Sequence, residues 1–151
     1  MQRLYSHFDD QINEKGFVRQ HIAKDATCLF RCIAQQVHQS QSYHTVVKKD
    51  FIEYLERNGH EMNLSGISVD KYVANASSEG YYATFMDALI LMKMYEINGY
   101  IWTMNDNNLE ACDHEHNYCN CLILVYDESC SEFDFIVTKG AEKLMASIQG
   151  K

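Results

Sequence analysis

Apolar and polar positions divide the chain into a helix-forming first part and a strand-forming remainder. Leu4, Phe8 and Ile12 recur four apart, which predicts an amphipathic helix that Gly16 can end. From Leu29 onward, Leu29, Phe30, Ile33, Ala34 and Val37 keep helical spacing, so a helix buries one face there. Residues 36–42 are a polar break. The next helix starts near His44, carries Val47, Phe51, Tyr54 and Leu55 on one side, and ends at Asn58-Gly59. Residues 63–66 read as a loop, and residues 70–76 as a short helix presenting Tyr72, Val73 and Ala76. Beyond the break at 77–80, Thr84 and Asp87 form a capping pair at the head of a further helix. That helix carries Leu89, Leu91, Met92 and Tyr95 and is apolar on more than one side, so a central position is expected. Phe85, Met86, Met92 and Met94 then read as core.

The period changes after Tyr95. Residues 100–103, 121–126 and 133–137 are short β-prone runs, while 105–117 is polar and acidic and reads as an exposed loop. Residues 141–148 can form a last helix. Helices followed by strands point to an α/β or α+β fold around a small sheet. No internal repeat or low-complexity segment is present.

A length of 151 residues fits one domain spanning 1–151. Hydrophobic residues make up 46% and charged residues 23%, the balance of an ordinary globular chain. No apolar run approaches the roughly 18 residues of a membrane span, so no membrane role is expected. Residues 1–7 lack a secretory apolar core, and six cysteines are then expected as thiols in a reducing, intracellular setting. The cytoplasm is the expected location, with the nucleus also open to the chain. A net charge of −8 disfavours tracking of nucleic-acid phosphates and allows a basic partner. Nothing in the sequence fixes the oligomeric state.

The chemistry concentrates at Asp25-Ala26-Thr27-Cys28-Leu29-Phe30-Arg31. Asp25 is a good N-cap for the helix that follows, which sets Cys28 in its first turn. Unpaired N–H groups and the helix dipole there favour a thiolate and can receive an oxyanion. The competing reading is a buried, inert cysteine under a helix.

This stretch resembles the D-G-x-C-L-F-R signature of the ovarian-tumour (OTU) family of cysteine-type deubiquitinases. Matching segments follow in order: residues 36–55, the Tyr72 segment, residues 81–95 with Asp87 at a usually acidic position, and the β-rich end at 122–137. The resemblance runs from about Phe8 to Val137. It implies a papain-like OTU fold, a small central sheet between helical lobes, and hydrolysis of the isopeptide bond between the ubiquitin C-terminus and a lysine. By position, Cys28 would be the nucleophile. The backbone of Asp25, Ala26, Thr27 and Cys28 would form the oxyanion hole, and Asp134 would orient a histidine. No cofactor and no catalytic metal are implied.

Two positions depart from the pattern. Ala26 replaces the signature glycine, which alone enters positive φ freely. Glu132 stands where the family's H-[YF]-D motif has its histidine, so Glu132-Phe133-Asp134 keeps the orienter and loses the base. Moving a proton from a thiol of pKa about 8.5 to a carboxylate near 4.3 is uphill by about 5–6 kcal/mol. General acid–base catalysis contributes about a hundred- to ten-thousandfold, and at least that loss is expected. A carboxylate beside the thiol also opposes its ionisation. His21, His114 and His116 are the other imidazoles considered as substitutes, and nothing in the sequence favours any of them.

Two further groups compete for attention. Cys112, His114, His116 and Cys119 have zinc-ligand chemistry, although tighter spacing than most structural sites, so an exposed loop leading into a strand is the simpler reading. Asp106, Glu110, Asp113 and Glu115 form an acidic segment that ordinarily is just solvated; it would also suit ubiquitin's basic tail. His44 and His60 read as solvent-facing. Three functions follow. The first is an OTU-type deubiquitinase with activity weakened or lost through Glu132. The second is an inactive OTU-like module that binds ubiquitin or another protein. The third is a redox-responsive or zinc-stabilised adaptor.

Overall fold

A computed structural model of the chain describes residues 10, 13–14, 16–23, 25–103, 108–112, 120–127 and 131–138. Its described helices are α1 (Cys28–His38), α2 (His44–Asn58), α3 (Val69–Ser77) and α4 (Phe85–Met94). Its strands are β1 (Phe17–Gln20), β2 (Ile97–Thr103), β3 (Asn108–Cys112), β4 (Asn120–Asp127) and β5 (Glu132–Thr138). The expected helix at 141–148 lies outside the described residues, as does all of the one at 4–12 except residue 10, and so do His114, His116 and Cys119 of the candidate zinc cluster.

Local chemistry sets the helix ends. Ser68 caps α3 by accepting the Lys71 N–H at 3.2 Å. Thr84 and Asp87 make a reciprocal capping box at α4, as their spacing predicts. At α1 the expectation is corrected by two residues. Thr27 is the N-cap residue and makes no side-chain cap bond, and Cys28 is the first helical residue. Asp25 instead closes the turn before the helix, its Oδ1 accepting the Thr27 N–H at 2.8 Å and the Thr27 hydroxyl. α1 ends where Gln39 turns left-handed, at φ +60°.

The strands form one sheet in the order β1-β5-β4-β2-β3. β4 runs parallel to β2, and every other neighbouring pair is antiparallel. A parallel pair cannot be joined by a tight turn. Here β3 carries the chain back along the outer edge of β2 before β4 enters on the other side. Two strands thus differ from the sequence expectation: residues 108–112 pair with β2 instead of forming a loop, and residues 17–20 pair with β5.

Alternation divides the sheet into two faces. Leu122, Leu124, Tyr126, Phe133 and Phe135 join one core with Leu29, Phe30 and Ile33 of α1, Phe51 and Leu55 of α2, and Leu91 and Met92 of α4. Each such side chain contributes about 1.5–3 kcal/mol on burial. Phe30 and Phe51 meet at 5.8 Å between ring centroids, joining α1 to α2. Gly99 on β2 lets Met92 and the Leu122 carbonyl approach so closely that a Cβ would lie 2.7 Å and 2.9 Å from them. On the other face, Val125 and Ile136 form a smaller cluster with Phe17 and Ile123. The described helices contribute to the core on that first face. Asp134 lies on the second face, opposite Val125 in the β4–β5 register.

Candidate active site

The site forms where β1 ends and the chain crosses the end of β5 to start α1. Cys28 opens α1, and its Sγ accepts the backbone N–H of Phe133 at 3.2 Å. This contact joins residues 105 apart in sequence and brings the candidate nucleophile to the Glu132-Phe133-Asp134 segment. Cys28 is also only 2% exposed, so a substrate carbonyl reaches the sulfur only after the covering residues shift.

Asp134 is 2% exposed and fully engaged. Its Oδ1 accepts the Ile22 N–H at 2.8 Å, and its Oδ2 accepts Arg19 Nε at 3.0 Å. Arg19 is as deeply buried, so the ion pair is shielded from water on both sides. His21 Nδ1 lies 3.5 Å from the same Oδ2, with 39% of the imidazole side chain exposed. Strand alternation explains the Arg19 contact. Arg19 registers with Ile136, on the face that carries Asp134, and His21 lies one residue past the end of β1. Glu132 shares that face and is half-buried, in register with Asp127 of β4.

No protein-family model matches the chain. The curated protein "Deubiquitinase otu" of Drosophila melanogaster is 28% identical over 93 residues, 60% of this chain. The chain spans 11% of that relative's length. Two solved structures extend the likeness in fold over most of the chain. "Structure of OTUD1 OTU domain" superposes with a TM-score of 0.70 at 19% identity, covering 85% of this chain and 91% of that one. "Structure of Ovarian Tumor (OTU) domain in complex with Ubiquitin" superposes at 0.70 with 13% identity, covering 82% and 71%.

This chain has the fold of OTU domains.

Against the OTU pattern, the turn before Cys28 is self-contained. The Asp25 N–H donates to the Ala23 carbonyl at 3.0 Å, and the Cys28 N–H donates to the Asp25 carbonyl at 3.2 Å. With the Thr27 N–H on Asp25 Oδ1, three of the N–H groups expected to receive an oxyanion are committed to the turn itself. Arg31 Nε donates to Thr27 Oγ1 at 2.7 Å and fixes the turn onto α1. The hydrogen bonds from Thr27, side chain first and backbone second, hold the Asp25 carboxyl below the usual carboxylate range. Arg31 and His44 add to that shift, and partial desolvation opposes it.

His44 is half-buried, which corrects the expectation that it faces solvent. Burial, and then the Arg31 charge, push its imidazole below the ordinary histidine value, while Asp25 opposes the shift. Asp87, the usually acidic OTU position, is wholly buried and has a structural task. It accepts the hydroxyls of Tyr72 and Tyr81 and the Thr84 N–H, tying α3 and the preceding loop to α4. Burial, reinforced by Asp87, drives both phenols well above the usual tyrosine range.

Sequence reasoning brought Cys28, Glu132 and Asp134 to one segment by analogy with the OTU motif, and the fold brings their backbones together. Arg19 was missed as a member, and His21 had no reason to be chosen over His114 or His116. The available signal was their spacing: an arginine and a histidine at i and i+2, six and four residues before Asp25.

Proposed function

We propose that this chain is a ubiquitin-directed cysteine isopeptidase of the OTU type, with Cys28 as nucleophile and with turnover slowed because Glu132 replaces the motif histidine. The observation that carries the reading is the 3.2 Å contact between Cys28 Sγ and the Phe133 N–H, which sets the sulfur between Glu132 and Asp134 in sequence. The ubiquitin complex of a similar OTU fold supports ubiquitin as partner. Asp134 acts as the orienting carboxylate, and the turn from Asp25 through Ala26 and Thr27 to Cys28 receives the oxyanion after its internal hydrogen bonds open. A cytoplasmic setting suits an unoxidised thiol.

A second reading, a ubiquitin-binding module without turnover, draws on Glu132 and on the covered state of Cys28. A paired experiment separates the two. Ubiquitin affinity and diubiquitin cleavage are measured for the native chain and for Glu132→His. The isopeptidase reading expects binding by both, slow cleavage by the native chain, and cleavage at least a hundredfold faster in the variant. Binding by both with no cleavage by either supports the module, and no binding by either overturns both readings.

A further inference from the structure

Resting on the isopeptidase reading, we infer that His21 supplies the proton transfers that the missing motif histidine would have performed. It does so from the end of β1, held by the same orienting carboxylate. Three observations converge on this. Asp134, which in the OTU pattern orients an imidazole, has one within 3.5 Å, and it is His21. The tautomer with its proton on Nδ1, toward that carboxylate, puts the basic lone pair on Nε2. Finally, the imidazole and the thiol converge on adjacent residues of one strand: His21 on Asp134 and Cys28 Sγ on the N–H of Phe133.

Exposure fits the task. With 39% of its side chain accessible, His21 can exchange protons with water and reach a departing amine. Buried Arg19 anchors Asp134 from one side while His21 remains at the surface. The same sharing is expected to slow turnover, because Arg19 at 3.0 Å takes the shorter contact with Oδ2 and His21 the longer.

The chemistry balances without a co-reactant other than water. Nε2 takes the Cys28 thiol proton as sulfur bonds to the C-terminal carbonyl carbon of ubiquitin, and the carbonyl electron pair moves to oxygen. Collapse of that adduct re-forms the carbonyl and expels the lysine Nζ, which receives the proton from His21. Water then attacks the thioester carbonyl and gives a proton to His21, which returns it to the leaving sulfur.

The test follows covalent labelling of Cys28 by ubiquitin carrying a C-terminal electrophile, with the native chain, His21→Ala, His21→Gln and Glu132→His. Ubiquitin affinity and melting temperature are recorded alongside. The amide of His21→Gln can still donate to Asp134 but cannot carry the proton. The expected result is slow native labelling that falls at least a hundredfold in both His21 variants, with affinity and melting temperature unchanged. Native-rate labelling in His21→Ala overturns the inference. Native-rate labelling in His21→Gln alone makes the role structural and overturns it too. If ubiquitin binds but only Glu132→His labels, His21 is excluded while the site reading stands. If ubiquitin does not bind and no variant labels, the isopeptidase reading fails as well.

Discussion

Replacing Arg19 with methionine removes the cation from the most buried ion pair described and leaves Asp134 with less than it needs. Both side chains are at most 4% exposed, so water cannot take the place of the guanidinium. Breaking such a pair from one side costs about 3–5 kcal/mol, because the remaining charge stays desolvated. Asp134 keeps the Ile22 N–H at 2.8 Å and His21 at 3.5 Å, which places the expected cost of Arg19→Met at the lower end, about 3 kcal/mol. At about 2–4 °C per kcal/mol for a chain of this size, the melting temperature falls by about 6–12 °C. The effect has a pH signature. A carboxylate deprived of its cation prefers to be protonated in the folded state, so the folded variant binds more protons than its unfolded chain. Its stability relative to the native chain therefore recovers as pH falls from neutrality. Guanidinium unfolding followed by circular dichroism at pH 7 and pH 5 measures both effects. Adding Asp134→Asn should make the double variant cost less than the sum of the two single changes. A loss under about 1 kcal/mol, or a deficit that grows on acidification, refutes the reasoning.

Asp87→Ala strands the hydroxyls of Tyr72 and Tyr81 and removes the capping box of α4, for an expected loss of about 2–4 kcal/mol. An unchanged urea midpoint would show that these groups find other partners. His44 gives a pH-dependent prediction of opposite character to Arg19→Met. Because its folded value is depressed, the folded chain binds fewer protons than the unfolded one, and stability is lost as pH falls below about 6.5. His44→Gln should match the native melting temperature at pH 8 and exceed it at pH 5; equal differences at both pH values contradict the assignment.

Much of the helical part was legible because its signals are local. Thr84 and Asp87 are three residues apart, and Val47, Phe51 and Leu55 repeat at four, so each element carries its own evidence. The two missed strands have weak local signals. Phe17–Gln20 is four residues long, and its partner in β5 lies more than a hundred positions away. Asn108–Cys112 is an edge strand, where polar residues are usual, so its composition resembled a loop. The site divides in the same way. Cys28 and Asp134 are candidates from motif resemblance alone, whereas the grouping of Arg19 and His21 on Asp134 exists only through the β1–β5 pairing. Asp25 reads as a helix cap in the sequence, whereas its carboxylate and carbonyl instead close the preceding turn on the N–H groups of Thr27 and Cys28.

The central claim is that Cys28, held against the Glu132-Phe133-Asp134 strand, is the sulfur that meets the C-terminus of ubiquitin. The most direct measurement is to incubate the native chain with ubiquitin bearing a C-terminal electrophile and locate the adduct by peptide mass spectrometry. The account predicts a slowly formed adduct on Cys28, with Cys32 of the same helix unmodified. An adduct on any other cysteine, or none on Cys28 in either the native chain or Glu132→His, would contradict it.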